Sequence, residues 1–265
     1  MHMTKLTFIP LKSTIAALTV CISVGTGAAA NAPATNAPEP KKKWEIVASA
    51  GVTLTRGNSK TFLANIGLNA NRKWSRDELL LGASAGYGET ETGTRAPDDN
   101  RTDVTQKHIK GFSQYNHLFN ERLYGGLRVE GLYDKIASVD YRFTLSPLLG
   151  YYIIKQPATS LAVEAGPSVV SEKVAGDENT YLGGRVAERY EYKFKNGARI
   201  WESAEWITEI DDVENWIINA EAGVSAPIVK TLDVRLVVQD TYDNRPAPNR
   251  LKNDFKLIAG LGYRF

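Results

Sequence analysis

The feature that most constrains this chain is an alternation of apolar and polar residues with a period of two, which recurs from residue 44 to the end. Such alternation is typical of β-strands with one apolar and one polar face. In the last segment, residues 252–265, the apolar face is Phe255, Leu257, Ala259, Leu261, Tyr263 and Phe265. A soluble β-sandwich would bury this face in its core, whereas a membrane barrel would turn it towards lipid.

Turn-forming residues divide the chain after residue 43 into twelve segments. They are residues 44–55, 61–71, 79–88, 104–116, 123–133, 141–153, 160–170, 181–194, 198–207, 215–224, 232–242 and 252–265. An even number of segments of about ten residues predicts an all-β fold, a transmembrane antiparallel up-and-down β-barrel of about 12 strands. Two segments are less regular. Pro147 stands inside the sixth, where a fully paired ladder disfavours it, and the ninth carries a Trp and a Glu on either face.

The connections between segments predict how the barrel is oriented. Those after even segments are short, whereas those after odd segments tend to be longer and polar, notably residues 89–103. Short turns face the periplasm in outer-membrane barrels and long loops face the exterior. The sequence therefore places both ends of the barrel domain in the periplasm.

Aromatic residues group near the two ends of the segments. Near the periplasmic ends lie Trp44, Trp74, Tyr124, Tyr151, Tyr192, Phe194, Tyr263 and Phe265. Near the opposite ends lie Tyr87, Tyr133, Tyr141, Tyr181, Trp206, Trp216, Tyr242 and Phe255. Two belts are expected at the two membrane interfaces, whereas a soluble sandwich would concentrate aromatic residues in the middle of its strands. The aromatic pattern favours the barrel.

The first 43 residues predict export. Residues 1–30 carry Lys5 and Lys12 before an apolar stretch and end in three alanines, which predicts a secretory signal peptide cleaved after Ala30. An uncleaved anchor helix is disfavoured because the apolar stretch is short. A lipoprotein would need a small residue before Cys21, but Val20 precedes it. Residues 31–43 predict a Pro/Lys-rich periplasmic linker, so the barrel domain is residues 44–265 and its localisation is the cell outer membrane.

Overall charge gives little indication of a partner. The formal net charge is +2 at pH 7, which does not favour nucleic acid. The mean hydropathy of −0.29 fits a soluble protein, but it also fits a barrel, in which only every second strand residue contacts lipid. Composition therefore leaves both classes open, and the alternation and the aromatic belts decide between them.

Charged residues recur on the face opposite the apolar one. The candidate lumen-lining residues are Glu45, Arg128, Glu130, Arg142, Glu164, Arg185, Arg189, Glu191, Glu221, Arg235, Lys256 and Arg264. They could form a selectivity lining for small polar or charged solutes. Alternatively, opposite charges could pair across the strands and fill the interior. The mixture of signs favours the filled interior.

Catalysis and metal binding have weaker support in the sequence. A lipid hydrolase of the barrel type would need a serine beside a histidine on the lipid face. His108 falls on the inward face, and His117 lies near a periplasmic turn, so we expect no enzyme and no cofactor. The acidic stretches 97–103 and 209–214 could bind Ca²⁺ or bridge divalent ions to lipopolysaccharide, but they lack the spacing of a calcium loop and are better interpreted as solvated loops.

Several stretches together resemble the family of salt-induced outer membrane proteins. They are GVTLTRGNSKTFLANIGLNA, RLYGGLRVEGLYDKI, YRFTLSPLLGYYI and TYDNRPAPNRLKNDFKLIAGLGYRF. The resemblance spans most of residues 44–265 and implies an outer-membrane barrel without implying an activity. The terminal Phe265, with Tyr263 behind it, resembles the aromatic signal that the barrel-assembly machinery recognises.

These observations together predict an envelope protein with a structural or stress-related role. Its expected partners are outer-membrane lipid and lipopolysaccharide, together with the barrel-assembly machinery during insertion. The alternative is a narrow channel for small polar or charged solutes. A lipid hydrolase and a soluble periplasmic β-sandwich binding protein have less support.

Overall fold

The computed structural model describes residues 44–55, 59–93 and 100–265, which form twelve strands. They are β1 (Glu45–Thr55), β2 (Ser59–Lys73), β3 (Asp77–Gly93), β4 (Asn100–Leu118), β5 (Leu123–Asp134), β6 (Val139–Lys155), β7 (Thr159–Val174), β8 (Asp177–Lys193), β9 (Arg199–Glu209), β10 (Trp216–Val229), β11 (Leu232–Asp243) and β12 (Asn253–Arg264). Each strand pairs antiparallel with the next, and β12 pairs with β1, which closes the sheet. The predicted twelve-stranded up-and-down barrel is confirmed.

The predicted signal peptide, residues 1–30, and the predicted linker, residues 31–43, lie outside the described residues. Within the described part of the chain, no helix is long and apolar enough to cross a membrane.

Apolar side chains form the outer wall of the barrel, because strand residues alternate between the two faces of the sheet. Ile66 on β2, Leu149 on β6 and Phe255 on β12 are 63%, 61% and 64% exposed. On β6 the even-numbered residues from Thr144 to Tyr152 are buried and point into the barrel. Several of the buried side chains are polar or charged, including Gln114, Asn116, Glu164, Arg185 and Asp233. The barrel is therefore apolar outside and largely polar inside, the reverse of a soluble sandwich.

Two aromatic residues depart from the predicted belts. Tyr124 on β5 is 0% exposed and Tyr181 on β8 is 8% exposed. Tyr124 follows Leu123 and Tyr181 precedes Leu182, both of which are exposed on the outer wall. Since neighbouring strand residues point to opposite faces, both tyrosine rings point into the lumen. Their position near a strand end was therefore not enough to assign them to a membrane belt.

The long polar loop predicted for residues 89–103 is mostly strand. β3 continues to Gly93 and β4 begins at Asn100, and the two strands remain paired up to these residues. At the same end of the barrel, β7 and β8 are joined by a two-residue turn, Ala175 and Gly176, both with positive φ. Paired strand therefore continues through residues 89–93 and 100–103 of the predicted loop.

Strand β6 can contain Pro147 because its hydrogen-bond ladder with β7 is interrupted there. β6 and β7 pair at Leu145 with Val169 and again at Leu149 with Ala165, but not between these positions. Pro147 and Pro167 both lie in the gap, and neither has a backbone N–H to donate. Inside the barrel, the hydroxyl groups of Ser146 and Ser168 form a hydrogen bond of 2.8 Å across the same gap. A side-chain hydrogen bond thus joins the strands where the ladder does not.

Candidate functional site: the charged lumen

Glu164 on β7 is almost fully buried in the lumen, at 2% exposure. Its carboxylate accepts hydrogen bonds from Arg189 at 2.7 Å, from Arg185 at 3.1 Å, from Gln114 at 2.7 Å and from the Tyr124 hydroxyl at 2.9 Å. These donors come from β4, β5 and β8, so that one acid connects four strands. A buried carboxylate needs such partners because its desolvation is otherwise costly.

A second group of charges spans the lumen from β5 to β9. Glu205 on β9 accepts a hydrogen bond from Arg185 at 2.5 Å and lies 3.7 Å from Arg128 on β5. Arg128 also binds Glu130 at 2.6 Å, and Lys110 on β4 reaches the same acid at 2.8 Å. Positively and negatively charged side chains thus alternate across the lumen, and each member of this group contacts at least one residue of opposite charge.

One small cavity is found among these side chains. A cavity of about 10 Å³ lies among them, roughly the space of one water molecule. It is lined by Arg128, Glu130, Thr144, Ser146, Arg185, Glu205 and Ile207.

Ion pairs also cross the lumen near the end opposite the start of β1 and the end of β12, called the external end here because the sequence predicts that the termini of the barrel lie in the periplasm. Arg142 on β6 binds Glu172 on the neighbouring strand and reaches Asp243 on β11 at 3.3 Å. Lys256 on β12 lies 3.9 Å from Asp134 on β5. Since β6 and β11 are five strands apart in the closed sheet, the Arg142 and Asp243 side chains together bridge the lumen.

A segment at the external mouth also crosses the barrel. Residues 244–252, here called the mouth strap, connect β11 with β12. Arg250 of the strap donates a hydrogen bond of 3.1 Å to the Ser138 hydroxyl, in the turn between β5 and β6 on the far side of the barrel. Ala247 is buried, while Arg245 pairs with Asp212 and Glu214 of the loop between β9 and β10. The strap therefore reaches across the opening.

Aromatic and charged side chains point into the lumen at the other end, which the sequence predicts to be periplasmic and which is called the periplasmic end here. Tyr124 and Tyr152 lie 5.2 Å apart within a buried cluster that includes Leu118 and Leu148. The Tyr152 hydroxyl donates to Glu78 on β3 at 2.5 Å, which is another contact between non-adjacent strands. The apolar cluster and the hydrogen bond thus lie inside the lumen at this end.

Further acids at this end pair with neighbouring arginines. Glu45 binds Arg199 and lies 3.7 Å from Lys193, which is 3.5 Å from Glu191. Asp233 accepts from Arg235 at 2.5 Å and from Arg264 at 2.9 Å. Glu221, nearer the middle of the barrel, has no arginine partner in the described structure and accepts from the Trp201 indole and from Gln239, each at 2.8 Å.

Glycines on the inner wall make room for the inward-pointing rings. A Cβ atom at Gly150 would overlap the Tyr124 ring, and one at Gly223 would overlap the Trp201 ring. Each ring therefore lies against bare backbone of a neighbouring strand, a known way of covering strand glycines with aromatic side chains. In this way small residues in the wall allow large side chains to fill the lumen.

The structure places all twelve predicted lining residues inside the barrel or at its periplasmic rim. It brings Arg128, Glu130, Glu164, Arg185 and Arg189 into two linked groups through Glu205 and Gln114. Arg142 and Lys256 belong to separate pairs near the external mouth. Glu45 with Glu191, and Arg235 with Arg264, have their own partners at the other end, whereas Glu221 lies near the middle of β10 with Trp201 and Gln239 as its partners.

Sequence reasoning missed Glu205, which sits between two arginines in the lumen. Its strand, β9, has a Trp and a Glu on either face, and alternation alone did not decide between them. The structure exposes Trp206 and turns Trp201 inward to Glu221. The assignment of Trp206 to the external belt was the signal that could have placed Glu205 inside, because the two residues are adjacent.

Neither histidine forms a catalytic pair with a hydroxyl group. His108 lies 3.3 Å from Gln106 Nε2 inside the barrel, and His117 lies 2.8 Å from Asp77 near the periplasmic rim. In the described part of the chain, no hydrogen bond joins either histidine to a serine or threonine. The described residues also contain no group of three or more side chains arranged to hold a metal ion.

Comparison with known proteins gives a family and several distant structures. The family model with the description "Protein of unknown function, DUF481" matches residues 48–265. No curated protein matches the chain. The translocator domain of autotransporter NalP from Neisseria meningitidis is similar at 13% identity and a TM-score of 0.45, with 86% of this chain and 90% of that chain covered.

Two porins show the same level of similarity. The NanC porin has 10% identity and a TM-score of 0.43 over 83% of this chain and 96% of that chain. The KdgM porin has 11% identity and a TM-score of 0.42 over 84% of this chain and 99% of that chain. These similarities concern the barrel fold alone.

Proposed function

This chain belongs to the family described as "Protein of unknown function, DUF481", and we propose that it is a structural β-barrel of the outer membrane whose lumen is closed to solutes. The observation that carries the proposal is the set of ion pairs and hydrogen bonds that cross the lumen between non-adjacent strands at its external, central and periplasmic levels. A protein with such an interior contributes a stable membrane-embedded wall without providing a route through it.

The outer wall supports a location in a membrane. Exposed apolar side chains occur on every strand for which exposure is described, for example Val52, Ile109 and Leu182. In water this surface would be very unfavourable, whereas in lipid it is the surface expected of a closed barrel with all its strands paired into one sheet. Tyr151, Tyr263 and Phe265 mark one rim of this surface, and Tyr87, Tyr141 and Phe255 mark the other.

The outer membrane is the natural site for such a barrel, and its lipid and lipopolysaccharide are the proposed neighbours. We assign the predicted signal peptide to export and the terminal strand to recognition by the barrel-assembly machinery. Recovery of the protein in the detergent-extracted outer-membrane fraction, as a heat-modifiable band, is the expected result. Release of the protein by osmotic shock would instead support a soluble periplasmic protein.

Planar-bilayer recording tests whether the lumen is closed. The purified full barrel is expected to be electrically silent, while a general-diffusion porin inserted into the same bilayer shows steps of current. Regular unitary conductance from the wild-type protein would overturn the proposal and support the narrow channel for small polar or charged solutes.

Arg128→Ala provides a matched variant for the same test. Its removal leaves Glu205 paired with Arg185 and Glu130 paired with Lys110, so the variant enlarges the lumen without leaving an acid unpaired. We expect faster ion leakage from liposomes containing this variant than from those containing Arg122→Ala, which changes an exposed arginine in the turn between β4 and β5. Equal leakage from the two variants would show that Arg128 does not contribute to closure.

We assign no catalytic activity to the barrel, because neither histidine has a hydroxyl partner and the lumen charges are paired with one another. Lipid turnover by the purified protein that is lost in His117→Ala would contradict this assignment.

A stress-related role rests on the resemblance to salt-induced outer membrane proteins. We expect the amount of protein in the outer membrane to rise when cells are moved to a medium of higher NaCl concentration. Quantitative immunoblotting of outer-membrane fractions measures this, and an unchanged amount would remove the salt-related part of the proposal.

A further inference from the structure

Arg72 lies on the outer wall at the periplasmic end of β2, between two indole rings. Its guanidinium carbon is 4.8 Å from the centre of the Trp74 ring and 5.5 Å from the centre of the Trp44 ring. The register explains the arrangement, because Glu45 pairs with Asn71 and Trp44 therefore lies beside Arg72 on the adjacent strand. Trp74 is two residues further along the chain on the same face.

The charge of Arg72 is uncompensated within the described part of the protein. Its Nε atom is buried and has no hydrogen-bond partner, and no described carboxylate forms an ion pair with its guanidinium group. Asp77, the acid at the start of the next strand, already accepts hydrogen bonds from Tyr115 at 2.6 Å and from His117 at 2.8 Å. Arg72 thus differs from Arg142, Arg185 and Arg264, each of which has a carboxylate partner in the lumen.

The two rings hold the guanidinium group in a fixed place. Stacking on aromatic faces orients an arginine and reduces the conformational entropy lost when its remaining N–H groups bind a ligand. The planar group is well suited to the oxygens of a phosphate, which it can bind through two hydrogen bonds. The guanidinium carbon of Arg72 lies within 6 Å of the centres of both indole rings, so both rings are close enough to hold it.

The depth of the site in the membrane indicates which phosphate is available. Phe265 N donates to Ile46 O at 3.1 Å, so the terminal residue lies beside β1 two residues from Trp44, at the level of the predicted periplasmic aromatic belt. Aromatic belts lie at the level of lipid headgroups. We propose that Arg72, held between Trp44 and Trp74, binds the phosphate of a phospholipid headgroup in the periplasmic leaflet; the inference rests on the membrane location given under Proposed function.

Native mass spectrometry of the full barrel in detergent tests the site. With phosphatidylglycerol as the probe, we expect the wild-type protein to retain the lipid and Arg72→Gln to bind it about tenfold more weakly. Arg122→Gln changes an exposed arginine in the turn between β4 and β5, for which the described structure gives no indole partner, and this variant should bind as the wild type does. Arg72→Lys keeps the positive charge but cannot form bidentate hydrogen bonds to the phosphate, so its affinity for the lipid should lie between those of the wild type and Arg72→Gln.

Two further binding measurements test whether the bound phosphate belongs to a lipid headgroup. Diacylglycerol with the same acyl chains should bind weakly to all variants, and millimolar inorganic phosphate should not displace the lipid. Equal retention of lipid by Arg72→Gln and Arg122→Gln, equal binding of diacylglycerol, or displacement by free phosphate would each overturn the proposal. Heat-modifiable migration and membrane fractionation of the same variants test the barrel's location separately, so failure of the lipid site and failure of the proposed function give different results.

Discussion

At the scale of single residues, one carboxylate holds four donors in place inside the barrel. Glu164→Gln would remove the negative charge that Arg189 and Arg185 share, and Arg189 has no other carboxylate partner in the described structure. We expect a loss of about 3–5 kcal/mol in the free energy of unfolding, because breaking a buried ion pair leaves a charge without compensation. Urea titration of the barrel in lipid vesicles measures the loss.

The control for this change is Glu188→Gln on the next strand. Glu188 is exposed on the outer wall, so the same chemical substitution should cost no more than about 0.5 kcal/mol. Equal losses for the two variants would contradict the role given to Glu164.

Sequence alternation could predict which side of the wall these residues occupy but not which residues meet. Gln114 and Glu164 lie on β4 and β7, and Arg128 and Glu205 lie on β5 and β9. Contacts between non-adjacent strands depend on the tilt and stagger of the closed barrel, which no single strand encodes. The inward face was therefore readable from the sequence, whereas the pairing inside it was not.

At the scale of elements, the turn between β7 and β8 contains an avoidable strain. Ala175 has a φ of 53°, and Gly176 follows with a φ of 93°. An L-residue with a side chain costs about 1–2 kcal/mol in this region, whereas Gly and Asn tolerate it and are typical of two-residue hairpin turns. We expect Ala175→Gly to raise the urea midpoint of unfolding and Gly176→Ala to lower it. A lower midpoint for Ala175→Gly would show that the turn conformation does not limit stability.

The extension of β3 and β4 shows where strand prediction loses its signal. Residues 89–93 and 100–103 are polar on both faces, so the alternation that marks a membrane strand disappears although the ladder continues. Beyond the apolar band neither face of a strand has to be apolar, because no lipid contacts it. Pro147 was misleading in a different way, since it stands inside a strand whose ladder is interrupted beside it.

At the scale of the whole molecule, the mouth strap connects opposite sides of the barrel. Arg250→Ala would remove its hydrogen bond to Ser138, and we expect faster hydrogen exchange in residues 244–252, because a segment with fewer contacts opens more readily. Lys230→Ala, in an exposed turn at the other end, should leave exchange in the strap unchanged. Unchanged exchange in Arg250→Ala would mean that the strap is held by its other contacts alone.

The closure of the barrel depends on a short seam between its first and last strands. Residues 47–50 of β1 pair with residues 261–264 of β12, while β1 pairs with β2 along its whole length. Phe265 extends the seam through its backbone N–H to Ile46 and packs its ring edge-on against Tyr263 at 4.9 Å. Its side chain is 75% exposed, so its ring contributes little to the core and is free to be recognised from outside.

Deletion of Phe265 should therefore affect assembly more than export. We expect the protein to reach the periplasm at normal levels but to give much less of the heat-modifiable barrel form, since both the end of the seam and the proposed assembly signal are lost. Phe119→Ala removes an exposed aromatic ring from a periplasmic turn outside the seam and should assemble normally. Pulse-chase labelling with fractionation measures both steps, and normal barrel formation without Phe265 would show that the shorter seam closes unaided.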